Sequence, residues 1–382
     1  MEFATMRQAG QVRNGSVNAE GVAIERDAIL ARMAEELRLA GSAGQGVWPS
    51  MRAAAMAITE HNWRAIILTG CGDSYYAALA LRGMMEDAAQ VPVLAVPAME
   101  AVTYPSRLAD EHALLVAISV SGKVERTIEA VREHHERGGT AVAISAFSDS
   151  DLAGAADIAI PTGIRGTPGP VPGTANFLGS MLGLTAIAAE LGERSRSAVF
   201  RDADVVAALD AVDAFALPVL DAGTEAGALT PPFFSLGSGP DLGIAWYGVA
   251  KFIEAASTVG VAQDLEEWAH EQYFTTKPGT SVFVHASTER VLERARRVAT
   301  SVVKVGGRLI TIGAEPLGLA NEHHWAIAPI AEALRPLVAW VPMATAALTY
   351  ARMGHHQPFG IDLAHRMQTV DEDIYLARPS RA

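Results

Sequence analysis

Short apolar runs recur along this chain, and most stop at a glycine, serine or proline before a helical pattern begins. Ala65 to Thr69 ends in Gly70-Cys71-Gly72, Val93 to Val96 lies between two prolines, and Ala113 to Val120 ends in Ser121-Gly122; Thr140 to Ser145 and Ala156 to Ile160 follow. Such brief apolar runs, bounded by turn residues, are those of strands covered on both faces. Parallel strands need crossovers, so the alternation with helical stretches predicts a parallel sheet sandwiched by helices. The same order restarts at Phe233 to Leu236, which ends in Gly237-Ser238-Gly239, and continues through Ser281 to His285 and Arg308 to Ile312. The chain is therefore expected to be α/β, with two tandem doubly wound units that share a pattern more than an identity.

This plan divides the sequence into a flexible arm at 1–26, leading helices at 27–60, a first α/β domain at 61–195, a helical linker at 196–230, a second domain at 231–345 and a tail at 346–382. Within 27–60 the apolar spacing suggests two helices, Asp27 to Leu39 and Val47 to Thr59. With half the residues apolar and 6% aromatic, the core must be built mainly from Ala, Val, Leu and Ile. Net charge is −13 and the basic residues are dispersed, which excludes a nucleic-acid footprint and leaves any anionic ligand to local donors. No apolar run free of charge reaches the ~18 residues of a membrane span, so no membrane partner is expected. A single cysteine, Cys71, and an N-terminus without a secretory layout point to the cytoplasm.

In an open parallel sheet the ligand sits beyond the carboxyl ends of the strands, at helix N-termini whose free amides attract anions. Two neighbouring turns have that character: Gly70-Cys71-Gly72-Asp73-Ser74, and Ser119-Val120-Ser121-Gly122-Lys123-Val124-Glu125-Arg126-Thr127. Their hydroxyls can donate to phosphate oxygens, and each serine alone could equally be an N-cap. Further along, Lys251 and Glu254 share a helix face at i, i+3, a spacing that also makes ordinary ion pairs.

These segments, with Gly173-Thr174-Ala175-Asn176-Phe177, Ala245-Trp246-Tyr247-Gly248-Val249-Ala250-Lys251-Phe252-Ile253-Glu254 and Glu267-Trp268-Ala269-His270, resemble the sugar-isomerase (SIS) family, as in the isomerase half of glucosamine-6-phosphate synthase. The likeness runs from about residue 27 to 365. It implies two tandem SIS-type domains. It also implies that Ser74, Ser119 and Ser121 hold a sugar phosphate, that Glu254 moves a proton between C1 and C2, that Lys251 stands by the substrate, and that His270 opens the sugar ring, reaching the neighbouring subunit of a homodimer. Cys71, Gly72, Asp73, Val120, Lys123, Val124, Thr127, Thr174 and Glu267 fall in the same motifs and complete the expected substrate-binding set.

The departures from the family pattern shape the expected reaction. Asp73 stands where the family carries Thr and would repel a phosphate unless Lys123 or a helix dipole compensates. Val120 replaces Gln, Val124 replaces Thr, and Glu271-Gln272 replaces Gly-Pro. The family synthase's imine-forming lysine near the C-terminus has no counterpart after Lys304, and position 2 is Glu where its glutamine-hydrolysing half needs Cys. The resemblance therefore implies a phosphosugar isomerase, deglycase or deaminase acting on an amino sugar phosphate or ketosamine phosphate, without glutamine hydrolysis. The alternative is a non-catalytic sugar-phosphate sensor, against which stand both proton-transfer residues and the lack of a helix-turn-helix pattern. No cofactor is expected: the adjacent pairs His323-His324 and His355-His356 lack metal-ligand spacing, and Gly237-Ser238-Gly239 lacks the rest of a dinucleotide fingerprint.

Overall fold

The computed structural model describes residues 19–60, 63–167, 171–221 and 229–363. β1 (Ala65–Gly70), β2 (Val93–Pro97), β3 (Ala113–Ile118), β4 (Thr140–Ser145) and β5 (Ile158–Pro161) form one sheet in the order β2-β1-β3-β4-β5. β6 (Phe233–Leu236), β7 (Gly260–Gln263), β8 (Ser281–Ala286), β9 (Arg308–Gly313) and β10 (His323–Ala326) form a second, in the order β7-β6-β8-β9-β10. Every pairing is parallel, and the two permutations are identical. The architecture is thus α/β, two parallel five-stranded sheets flanked by helices, as the two tandem doubly wound units of the sequence led one to expect.

The edge strands β7 and β10 were not expected. At the margin of a sheet a strand is covered on fewer sides, so half-buried residues such as His323, His324 and Trp325 suffice and no continuous apolar run marks them. β3 stops at Ile118, which leaves Ser119 and Val120 in the turn beyond it.

Alternating side chains of each strand enter different cores. Ile66 and Leu68 of β1 face the large core, whereas Ile67 packs outward with Leu115, Ile128 and Leu152. That large core is common to both sheets, joining Leu68, Val116 and Ile144 to Ile244, Phe283 and Ile310. It is filled by α2 (Asp73–Ala89) and α6 (Ala175–Ser195) from the first unit and by α8 (Pro240–Ala256) and α12 (Val341–Met353) from the second. The outer faces carry shorter helices, α3 (Ala98–Thr103), α4 (Glu125–Glu136) and α5 (Asp151–Ala155) on the first sheet, and α9 (Leu265–His270) and α10 (Leu292–Lys304) on the second. α11 (Pro336–Ala339) leads into α12.

Two expectations about helices need correction. The leading helices are one element, α1 (Ala19–Ala55), continuous through the Gly41–Gly46 stretch that interrupts its apolar spacing; it also takes in residues 19–26 of the expected arm, while residues 1–18 lie outside the described residues. The polar stretch is accommodated because Asp213 of α7 (Asp202–Asp221) accepts from the Gly41 and Ser42 amides, at 2.7 and 2.8 Å. α7, inside the expected linker, is accordingly packed against α1, α11 and α12, and α12 runs across residue 345. α6 is by length and composition apolar enough to cross a membrane, although it includes Glu190, and 89% of that stretch is buried within the fold.

The two units meet where α2 crosses α8. Gly243 allows the approach: a Cβ there would lie 2.5 Å from both the Ala80 nitrogen and the Tyr76 oxygen. Gly243→Ala should therefore cost about 1–3 kcal/mol through enforced separation of the helices, measured as a lowered urea midpoint; an unchanged midpoint would mean that the crossing is loose. A second test concerns His285, fully buried on β8 with Nε2 3.0 Å from Ser235 Oγ. Burial pulls its imidazole down from 6.5 to about 3. The unfolded chain takes up this proton near pH 6.5 and the folded chain refuses it, so stability falls as pH drops below 6.5. His285→Gln should remove that loss, gaining about 2 kcal/mol on the parent between pH 7 and pH 5. Parallel pH dependence of the two urea midpoints would refute it.

Candidate active site

The strand order of the first sheet reverses direction at β1, which opens a crevice between the carboxyl ends of β1 and β3. Gly72 caps α2 there with φ 54° and ψ −128°, a conformation open only to glycine. Asp73 and Ser74 then form the first turn of α2. Ser74 is buried, and across the crevice Ser119 is buried too, its Oγ without a hydrogen-bond partner among the described residues. The β3–α4 turn is closed by Gly122 N donating to Ser119 O at 3.0 Å, while Ser121 Oγ accepts from Lys123 N at 3.2 Å. Ser121 and Lys123 are exposed, Val120 is half-buried, and Val124 caps α4 with Thr127 buried behind it. Cys71 is exposed at the mouth, its Sγ 3.9 Å from Thr127 Oγ1, and burial of the thiol pushes its pKa up.

The second sheet repeats this crevice between β6 and β8 and fills it differently. Gly239 caps α8 with φ 60° and ψ −127°, so Asp241 takes the helix position that Ser74 takes in α2. Its buried carboxylate accepts from Ser287 N at 2.9 Å and from Ser287 Oγ, just beyond β8. Burial still pushes Asp241 up to about 6, against the pull of those bonds and of Arg335. The second crevice thus holds an internal oxyanion, whereas the first leaves a buried hydroxyl open.

α8 aims Tyr247, Lys251 and Glu254 from one face into the first unit. Lys251, fully buried, donates to Asp73 Oδ2 at 2.7 Å and to Glu254 Oε2 at 2.5 Å, so one ammonium joins carboxylates 178 and 3 positions away. Gly173 N reaches the same Glu254 oxygen at 3.3 Å, and Tyr247 Oη donates to Gly173 O at 3.0 Å. The Tyr247 ring stacks on Phe177, centroids 3.9 Å apart, and lies 5.1 Å from Lys251 Nζ. Burial pulls the Lys251 ammonium down, but the charges and bonds of Asp73 and Glu254 outweigh it and raise its pKa. Asp73 moves to about 6, pushed up by burial and by Glu254 against the pull of Lys251. The side chains of Asp73 and Glu254 remain 20% and 29% exposed, open to a small ligand.

The structure thus brings Asp73, Lys251 and Glu254 together beside the Ser74–Ser119 crevice. Asp73 is compensated by Lys251 and not by Lys123. Thr174 lies fully buried at the head of α6, its hydroxyl donating to Glu36 at 2.9 Å. Glu267 and His270 sit on α9; His270 is 68% exposed and 3.5 Å from Glu266, and no hydrogen bond or ion pair among the described residues joins it to Lys251. Sequence reasoning missed the contribution of Glu36, which lies outside every motif, and did not single out Tyr247 and Gly173 as site residues although both fall within the segments that carry the resemblance.

Residues 61–179 match the SIS domain profile. Over 297 residues the chain is 25% identical to glutamine–fructose-6-phosphate aminotransferase [isomerizing] of Pyrococcus horikoshii, covering 77% of this chain and 50% of that one. It is 33% identical to the Symbiobacterium thermophilum protein of the same name over 132 residues, 35% and 21% of the two chains. The chain spans about half the length of the curated relatives it matches, or less. Among solved structures it resembles the C-terminal domain of glucosamine-fructose-6-phosphate aminotransferase from Francisella tularensis, with TM-score 0.74, 19% identity and coverage of 86% of this chain and 97% of that one. It also resembles tagatose-6-phosphate ketose/aldose isomerase from Escherichia coli, with TM-score 0.71, 19% identity and coverage of 86% and 94%. Glucosamine-6-phosphate deaminase from Thermotoga maritima gives TM-score 0.65 at 16% identity, with 86% and 98% covered. Residues 61–179 thus form a SIS domain, and because the second unit repeats its strand permutation the fold matches two tandem SIS-type domains.

Proposed function

We propose that this protein is an enzyme that moves a proton between C1 and C2 of an amino sugar phosphate or ketosamine phosphate, as an isomerase, deaminase or deglycase. The observation that carries the reading is Glu254, a partly open carboxylate fixed by a buried ammonium and a backbone N–H beside the first crevice. The names of the similar proteins, a fructose-6-phosphate aminotransferase, a tagatose-6-phosphate ketose/aldose isomerase and a glucosamine-6-phosphate deaminase, all concern hexose phosphates, and the last an amino sugar phosphate.

Moving a proton from C1 to C2 of a 1-amino-2-ketose, while the amine N–H proton passes to the C2 oxygen, leaves an imine at C1 and a hydroxyl at C2, and water hydrolyses the imine to an aldose and the free amine. The same shuttle on an unsubstituted sugar is aldose–ketose isomerisation. Glu254 is suited to carry the proton by its placement, a partly exposed carboxylate held at one oxygen by Lys251 Nζ and the Gly173 N–H. Lys251 itself is a poor nucleophile: its ammonium is buried, raised in pKa and held by two carboxylates, so the nitrogen must come with the substrate. The ligand's phosphate would take the place at Ser74 and Ser119 that the Asp241 carboxylate takes at Ser287 in the second unit. His270, exposed beside Phe274, which is itself 78% exposed, would serve the site of a second copy and open the sugar ring.

Two measurements test this. Glu254→Gln should keep ligand binding and lower turnover of phosphorylated amino sugars at least ~100-fold. Activity within a fewfold of the parent would remove Glu254 from the chemistry, and saturable binding by the parent without product would favour the sensor. At pH 7.5, Asp73→Asn removes a negative charge beside the crevice, and sugar phosphate should bind about fivefold tighter, roughly 1 kcal/mol. Titration calorimetry against the phosphate and its unphosphorylated parent decides: weaker binding of both would make Asp73 a ligand for the sugar's own hydroxyls or amine.

A further inference from the structure

Glu36 is the least expected polar group in the molecule. It projects from the middle of α1, upstream of the residues that match the SIS profile, and is only 6% exposed. Its carboxylate accepts three hydrogen bonds from the segment that leads into α6: Thr167 N at 2.7 Å and Thr167 Oγ1 at 2.9 Å on Oε1, and Thr174 Oγ1 at 2.9 Å on Oε2. One side chain thus ties both ends of the 167–174 stretch. Gly173, the residue before Thr174, is the one whose N–H meets Glu254 and whose carbonyl accepts from Tyr247. A Cβ on Gly173 would stand 3.0 Å from Asp73 Oδ2 and 3.7 Å from Lys251 Nζ, so this backbone forms a wall of the charged group.

From this geometry we infer that Glu36 is a positioning residue, which fixes the 167–174 segment so that the Gly173 N–H is presented to Glu254. The role rests on the function proposed above only for its effect on turnover; the anchoring of the segment stands independently. Glu36 meets the stretch at both Thr167 and Thr174, so losing it loosens both ends together and leaves Gly173 with its contacts to Glu254 and Tyr247 alone. Burying a carboxylate costs several kcal/mol unless donors surround it, so its placement here is matched by the three donors it gathers. Charge-assisted bonds of this type are also stronger than the neutral ones a serine or glutamine would make. Glu36 touches neither Glu254 nor Lys251, so its influence must travel through the Thr174–Gly173 backbone.

Two variants of the full chain test the inference. Glu36→Ala removes all three acceptor contacts, and Glu36→Gln keeps an acceptor for Thr167 and a polar partner for Thr174. Backbone hydrogen exchange, followed by mass spectrometry, should quicken at least tenfold over 167–174 in Glu36→Ala and by less than threefold in Glu36→Gln, with the sheet strands unchanged in both. On a turned-over amino sugar phosphate, kcat should fall tenfold or more in Glu36→Ala while KM stays within threefold, and Glu36→Gln should recover most of it. Exchange that is unaltered in Glu36→Ala overturns the anchoring. Quickened exchange with kcat unchanged overturns its bearing on Glu254. Quickened exchange across the strands as well would show Glu36 to be a general stability residue and also overturns the inference. If the parent turns over no member of the panel, the proposed function fails, and the exchange over 167–174 alone decides whether Glu36 holds the segment.

Discussion

A buried ammonium between two carboxylates organises this molecule. Lys251 belongs to the second unit, Asp73 to the first, and Glu254 to the same helix as the lysine. Isolated, an ammonium fully removed from water would cost several kcal/mol, and only close opposite charges make the placement stable. That requirement fixes the distance between the two units at one point, because Asp73 must reach across. The α2–α8 crossing at Gly243 supplies the second point, and the shared apolar core fills the space between them. The charged group is therefore both a clasp between the halves and the fixed frame on which Glu254 is held.

Duplication made two similar crevices, and their differences divide the labour. In the second, Asp241 and Ser287 satisfy each other, so the strand ends there are closed by the protein's own carboxylate. In the first, the equivalent helix position is the neutral Ser74, and the Ser119 hydroxyl lies buried and open. A buried hydroxyl without a partner is costly in a folded protein. An oxyanion entering the first crevice would relieve it as Asp241 relieves Ser287. The molecule carries, in its second half, a filled version of the site its first half offers.

Much of the fold was legible because parallel strands buried on both faces write themselves as apolar runs: β1, β2, β4, β6, β8 and β9 all lie where those runs predict. β7 and β10 escaped because edge strands need no such run, and α1 read as two helices because Asp213, far along the chain, satisfies the amides of its polar middle. In the candidate site, Glu254 and Ser119 could be singled out because motif and chemistry coincide there, and the fold places both at the first crevice. The site was illegible where function depends on pairing across the fold. Asp73 reads as a repulsive intruder when only its neighbours Ser74 and Lys123 are in view, and its partner is 178 residues away. Glu36 carries no signature at all, since its importance lies in which backbone it holds, and Gly173 stands in a motif that gives no hint of its contact with Glu254.

The placement of Asp73 also bears on how an anion can bind to a chain of net charge −13. Two carboxylates share one ammonium, so the group as a whole retains a negative charge, and no lysine or arginine is left over within it to greet a phosphate. Apart from the exposed Lys123 of the β3–α4 turn, attraction comes from the dipoles and free amides at the starts of α2 and α4 and from the serine hydroxyls between them. Such donors act at hydrogen-bond range and are strongly directional, whereas the repulsion from Asp73 is felt farther out. An anionic ligand is then admitted only when its oxygens fit the crevice, and a diffuse or misfitting anion is turned away. Because Asp73 is raised to about 6, that repulsion weakens as pH falls toward 6, and discrimination between fitting and misfitting anions should be sharpest at neutral pH and above.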